Sequence, residues 1–135
     1  MKRFALLLAL LAAACSNESP PLTITDVVIK KPLPGMHMSA GYFTMTNNSS
    51  TTIIITSVSS PQFGAVDMHE TVIEDDVARM VGIDELELEP RASIEFAPGG
   101  KHLMLMRPVG ELSQVTLQFY SGDLEILSVN VTVSE

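Results

Sequence analysis

The chain is poor in cysteine, in basic residues and in aromatic rings. Its one cysteine is Cys15, so no disulfide can form within the chain and nothing after that position can use a thiolate. Of the eight Lys and Arg residues, Lys2 and Arg3 sit at the extreme N-terminus; without them six basic residues face sixteen acidic ones, and the formal charge moves from −8 to −10. That sign argues against nucleic acid and anionic membrane surfaces as partners, and suits cations or a basic protein. The longest apolar run, Phe4 to Ala14, is too short to span a bilayer comfortably as a permanent helix. Catalytic signatures are missing too: there is no Ser/His/Asp arrangement and no nucleotide-binding glycine loop. The acidic residues from Glu70 to Asp76 read as a solvated hairpin tip rather than paired carboxylates, so no enzyme is expected.

What is present begins with an export signal. Residues 1–15, MKRFALLLALLAAAC, combine two basic residues, an apolar run and a cysteine among small residues, the layout of a secretory leader. LAAAC resembles a bacterial lipobox, with Ala12 where leucine is usual, and implies that Cys15 becomes the lipid-modified first residue of the mature protein. Ordinary cleavage near Ala14 is the alternative; lipidation accounts better for an unpaired thiol in an oxidising compartment. Residues 16–21, SNESPP, read as a tether, and 22–135 as one β-domain. A periplasmic or otherwise extracytoplasmic protein is expected, held to the membrane only through lipidated Cys15.

The remainder reads as strands: LTITDVVIK, AGYFTMTN, TTIIITSVS, AVDMHETVI, VARMVG, ASIEFA, KHLMLMR, VTLQFY and EILSVNVTVS. They are rich in Val, Ile and Thr and bounded by Pro, Gly, Asn or Asp. Ala92, Ile94 and Phe96 alternate with Arg91, Ser93 and Glu95, and Leu127, Val129, Val131 and Val133 with polar neighbours, which fixes an inner and an outer face. About nine short strands at this spacing predict an antiparallel sandwich or barrel.

Two local patterns carry chemistry. In KHLMLMR, His102, Met104 and Met106 point one way while Leu103 and Leu105 point the other. AVDMHETVIEDDVARMVG reads as a hairpin turning at Glu74, Asp75 and Asp76. A two-residue loop sets Met80 opposite His69 or Thr71, on the face of His69, whereas a three-residue loop turns Met80 to the other face. With a two-residue loop each histidine has a methionine on its face, giving two imidazoles and two thioethers. Thioethers bind Zn²⁺, Mg²⁺ or Ca²⁺ poorly, but Cu(I) accepts them readily and tolerates low coordination numbers. Met45 and Met68 are assigned to packing, and Met106 to packing or support of the ligands.

Ten residues separate His69 from Met80, twenty-one separate Met80 from His102, and one separates His102 from Met104. This spacing resembles the H-x10-M-x21-H-x-M signature of the PCuAC periplasmic copper chaperones. MHE at 68–70, PGGKHLMLM at 98–106 and PGMHMSAGYFTMTN at 34–47 resemble segments of the same family. The resemblance implies a cupredoxin-like antiparallel β-sandwich or Greek-key barrel. It also implies Cu(I) held near the surface by His69, Met80, His102 and Met104. The metal would be delivered to the copper centres of cytochrome c oxidase, especially the binuclear CuA site, with an oxidase subunit or another copper chaperone as partner. MHM at 36–38 adds Met36, His37 and Met38 in a loop after Pro34-Gly35, beyond what the signature requires; a part in metal capture and an unremarkable exposed loop are both open readings there. A copper-sequestering resistance protein, or a lipid-anchored structural sandwich without metal, are the other readings.

Blue-copper electron transfer is not expected, because it needs a cysteine thiolate and Cys15 sits at the export junction, outside the folded domain. Imidazole coordinates only when neutral, so copper binding is expected to weaken on acidification through the ordinary histidine range. An affinity titration from about pH 7 to about pH 5 checks this, and unchanged affinity over that range contradicts it.

Overall fold

The computed structural model describes residues 19–134; the stretch read as an export signal, Cys15, the start of the expected tether and Glu135 lie outside the described residues. Eleven strands follow in order: β1 (Leu22–Lys30), β2 (Met38–Asn47), β3 (Ile53–Ile55), β4 (Ser57–Ser59), β5 (Phe63–Glu74), β6 (Val77–Gly82), β7 (Leu86–Leu88), β8 (Ser93–Phe96), β9 (Lys101–Pro108), β10 (Gln114–Ser121) and β11 (Leu124–Ser134). Seven of them run side by side as β4-β10-β11-β1-β2-β9-β5, and Val58 opposite Val66 closes β5 back onto β4. β8 wedges in beside β2 and β9, pairing with β2 from Phe43 to Thr46 and meeting β9 at Phe96 and Lys101. The result is the expected all-β barrel, almost wholly antiparallel, with β1 and β11 as the main parallel pair. Closure removes the exposed sheet edges that an open sheet of this length would present. β6 continues outward from β5 as a flap, and β3 and β7 form a separate two-stranded sheet.

Alternation along the strands builds the interior. Leu103 and Leu105 of β9, Val115, Leu117 and Phe119 of β10, and Phe43 and Met45 of β2 are all essentially inaccessible. A chain with five phenylalanines places three at the centre: Phe43 stacks on Phe96 with centroids 4.5 Å apart and meets the edge of Phe119 at 5.7 Å. Gly41 is buried where β2 crosses close to β9; a Cβ there would come within 3.3 Å of the Leu105 side chain.

Two details depart from the sequence reading. The stretch Thr51–Ser59 is not one strand: it breaks at Thr56, whose amide donates to the Tyr120 carbonyl at 2.9 Å, so β3 pairs with β7 and β4 with β10. β7 was not expected, because three residues are too few for an alternating pattern to register.

Asn47 ties this corner together. It is completely buried, and its amide nitrogen donates to the carbonyls of Thr51, Leu88 and Glu89 at 2.7, 3.0 and 3.1 Å. Its carbonyl oxygen accepts from the Ser49 amide and hydroxyl at 2.9 and 2.7 Å. Asn47→Ala strands several of these buried groups at once, and a loss of about 3 kcal/mol in unfolding free energy is expected by denaturant titration.

Candidate metal centre

The β5–β6 hairpin turns through two residues. Glu74 pairs with Val77, and Asp75 and Asp76 between them have φ of 51° and 60°, the left-handed pair that a two-residue hairpin turn demands. Aspartate tolerates that region better than most residues because its short side chain hydrogen-bonds locally. The register then sets Thr71 opposite Met80 and His69 opposite Gly82. Val66 and Met68 point into the core, so Asp67, His69 and Thr71 face outward, and Met80 shares their face.

β9 brings the second half. Leu103 and Leu105 are inward, which turns His102, Met104 and Met106 outward. Pairing with β5 sets His102 opposite His69 and Met104 opposite Asp67. On the other flank, β2 sets Ala40 opposite Met104 and Met38 opposite Met106. Residues distant in sequence thus share one patch of the barrel wall because three strands agree in register.

Within this patch the two imidazoles meet edge to face, with centroids 5.9 Å apart and ring planes at 88°. His102 is 9% exposed, and its Nδ1 lies 3.1 Å from the Gly100 carbonyl. That carbonyl also accepts the Thr71 amide at 3.1 Å. The Pro98-Gly99-Gly100 turn fixes it in place, with Gly99 at φ +81°, where other residues are strained, and Gly100 N donating to Ala97 O at 3.0 Å. An Nδ1–H donated to a carbonyl leaves the Nε2 lone pair free, the arrangement found behind metal-binding histidines. A cavity of about 300 Å³ opens over His102, Met80 and Met104, with Met38, Tyr42 and Thr71 also on its walls. His69 stands beside it, lining a neighbouring cavity of about 480 Å³ with Asp67, Gly82 and Asp84. The His69 Nδ1 is buried with no hydrogen-bond partner, an unusual state for a polar atom. Close by, Lys101 and Glu70 pair at 2.8 Å and cancel each other's charge.

Of the four residues singled out by spacing, His102, Met80 and Met104 share one cavity and His69 packs against His102. Met45 and Met68 are core residues, 0% and 4% exposed. Met106 faces outward beside Met38. The MHM segment divides: Met36 is half-exposed and lies away from the cavity, the His37 carbonyl accepts the Arg107 amide at 2.8 Å, and Met38 begins β2 on the cavity wall. Sequence reasoning set Met38 apart only as part of the MHM loop and did not separate it from Met36 and His37. Running the alternation of β2 back two residues, from outward Tyr42 through Ala40, would have found it. Chemically the cavity offers neutral nitrogen and thioether donors and no carboxylate on its walls, which suits a soft ion of low charge. Neutral His102 is expected to carry its proton on Nδ1; ¹⁵N imidazole NMR checks this, and an Nε2-protonated ring contradicts it.

Known proteins share both the sequence and the fold. Residues 22–133 match the family described as LpqE-like, "Putative lipoprotein LpqE-like". Over 99 residues the chain is 29% identical to "Uncharacterized protein RP573" of Rickettsia prowazekii, and over 103 residues 28% identical to "Putative lipoprotein Lxx21020" of Leifsonia xyli subsp. xyli. These alignments take in 69% and 72% of the chain but only 55% and 62% of those longer relatives. In structure, the copper-bound PCuAC domain of PmoF2 superposes with a TM-score of 0.66 at 18% identity, covering 84% of this chain and 92% of that one. The apo form of that domain gives 0.65 at 19% identity, covering 84% and 89%. Cu(I)-DR1885 from Deinococcus radiodurans gives 0.64 at 25% identity, covering 90% and 84%. The chain belongs to the LpqE-like family, and its barrel is the cupredoxin-like fold of the PCuAC domains.

Proposed function

We propose that this protein is an extracytoplasmic Cu(I) carrier that takes up the ion as cargo and hands it to a copper-requiring protein, with the copper centres of cytochrome c oxidase as the destination. The observation that carries the reading is the juxtaposition of His69 and His102 across β5 and β9, with Met80 and Met104 on the same outer face. Two solved structures of this fold, the PCuAC domain of PmoF2 and DR1885, contain copper. We assign His69, Met80, His102 and Met104 as the ligands. Thioethers need no deprotonation and bound Cu(I) keeps a single positive charge, so the ion is held without burying a strong ion pair. The acidic surface favours approach of the cation, since the mature chain carries −10 once Lys2 and Arg3 are removed from a chain of −8.

The same reading makes residues 1–15 a cleaved signal, Cys15 the lipid anchor, 16–21 a tether and 22–135 the copper domain. Support comes from the lipobox-like LAAAC and from membership of a family described as lipoproteins. Nothing in this role calls for catalysis.

X-ray absorption of the copper-loaded protein tests the ligand set. About two imidazole nitrogens and at least two sulfurs at thioether distance are expected, and a shell of oxygen and nitrogen alone overturns it. His102→Ala and Met104→Ala are each expected to weaken Cu(I) binding by about tenfold to hundredfold in chelator competition. Transfer to an apo oxidase copper domain separates delivery from sequestration: copper that stays on the loaded protein refutes delivery.

A further inference from the structure

Met38 lies outside the spacing pattern of the four assigned ligands, yet it shares a cavity with three of them, Met80, His102 and Met104. We infer that Met38 is a further thioether donor of this centre, able to take the place of Met80 on the metal. The inference rests on the Cu(I) reading of the site.

Four observations carry it. First, Met38 lines the same cavity as Met80, His102 and Met104, whereas Met36 of the same motif lies elsewhere. Secondly, β2 pairs with β9 so that Ala40 stands opposite Met104 and Met38 stands diagonal to it. Diagonal neighbours on one sheet face lie within reach of long side chains, and the single methyl of Ala40 leaves the space between them open. Thirdly, packing does not account for Met38, which is 48% exposed and contributes little to the core.

Fourthly, the two exposed thioethers stand on opposite rims and on supports of different kind. Met80, 62% exposed, rides on β6, which among the described residues pairs only with β5 and has no buried residue. Met38 stands on β2, held between β1 and β9, and the neighbouring Ser39 hydroxyl donates to the Lys30 carbonyl. Strands with few packed neighbours open most readily. When the flap carrying Met80 moves, the ion needs another soft donor to remain with His102 and Met104, and Met38 is the methionine of the opposite rim. The exchange replaces one neutral thioether by another, so neither charge nor oxidation state changes, and Cu(I) tolerates the three-coordinate step between.

A double-mutant cycle on the full-length protein tests this, with Cu(I) affinity read by competition against a chromophoric chelator. Leucine replaces methionine with little change in volume, and both positions are half-exposed, so the fold is retained. Met80→Leu is expected to weaken binding about tenfold and Met38→Leu about threefold, while the double variant loses at least about 300-fold, well beyond the product of the singles. In the Met80→Leu protein the ¹³C-methyl NMR signal of Met38 is expected to move on Cu(I) loading. A double variant no worse than the product, or a Met38 methyl that stays still while Met104 shifts, overturns the inference and leaves the carrier reading standing. Unaltered binding in both Met80→Leu and His102→Ala overturns the carrier reading itself.

Discussion

The register between β5 and β9 is the constraint on which the rest of the molecule depends. It sets His69 opposite His102 and, two residues on, Asp67 opposite Met104. What holds that register is not the polar patch but its reverse side. Leu103 and Leu105 are fully buried, and Val66 and Met68 nearly so, each contributing about 1.5–3 kcal/mol by leaving water. A slip of one residue would turn His102 into the core and both leucines out to solvent. The cost of that exchange exceeds anything the outer face could gain. The site geometry is therefore fixed by the core, and the outer face can be given over to chemistry.

Neutrality of the donors follows the same economy. The cavity over His102 is walled by thioethers, a phenol, a threonine and a histidine, groups that cross from water into a half-buried site at modest cost. A carboxylate in the same position would have to be desolvated whenever the site is empty. Acidic residues are instead placed around it: Asp67 and Asp84 open onto the neighbouring cavity, and Asp75 and Asp76 sit in the turn of the flap. They supply a long-range attraction for cations without being ligands of the cavity. In the proposed carrier this division would separate capture at a distance from coordination at contact.

Much of this was legible in the sequence, wherever two-residue periodicity was long enough to count. β9 alternates from Leu103 to Met106 and β5 from Ala65 to His69, so inner and outer faces could be assigned by inspection. The hairpin was legible from its acidic turn, but the face of Met80 was not, because it depends on whether the loop has two residues or three, and the pairing of Glu74 with Val77 makes it two. β7 escaped because three residues carry no pattern, and the break at Thr56 escaped because Thr51–Ser59 is β-prone throughout. The break is imposed by a distant partner, the Tyr120 carbonyl, which no local reading contains. The place of Met38 escaped for a different reason: Pro34 and Gly35 announce a loop, and where a loop hands over to a strand is set by pairing with β9 rather than by composition. The single unpaired nitrogen of His69 is likewise a product of assembly.

A carrier has to hold an ion firmly and yet give it up, and these demands conflict if all ligands sit on one rigid element. Here they are distributed. His102 and Met104 belong to β9, which is paired on both sides within the closed barrel, and the His102 ring is fixed from behind by the Gly100 carbonyl. Met80 belongs to a strand with one neighbour and six exposed residues. The free energy needed to displace β6 is that of its pairing with β5 alone, whereas displacing β9 requires opening the barrel. Under the proposed assignment, ligands on elements of such unequal stability would leave in a fixed order, flap first and wall last. In the proposed carrier, an incoming donor from a partner would then meet an ion already exposed on one side and still anchored on the other.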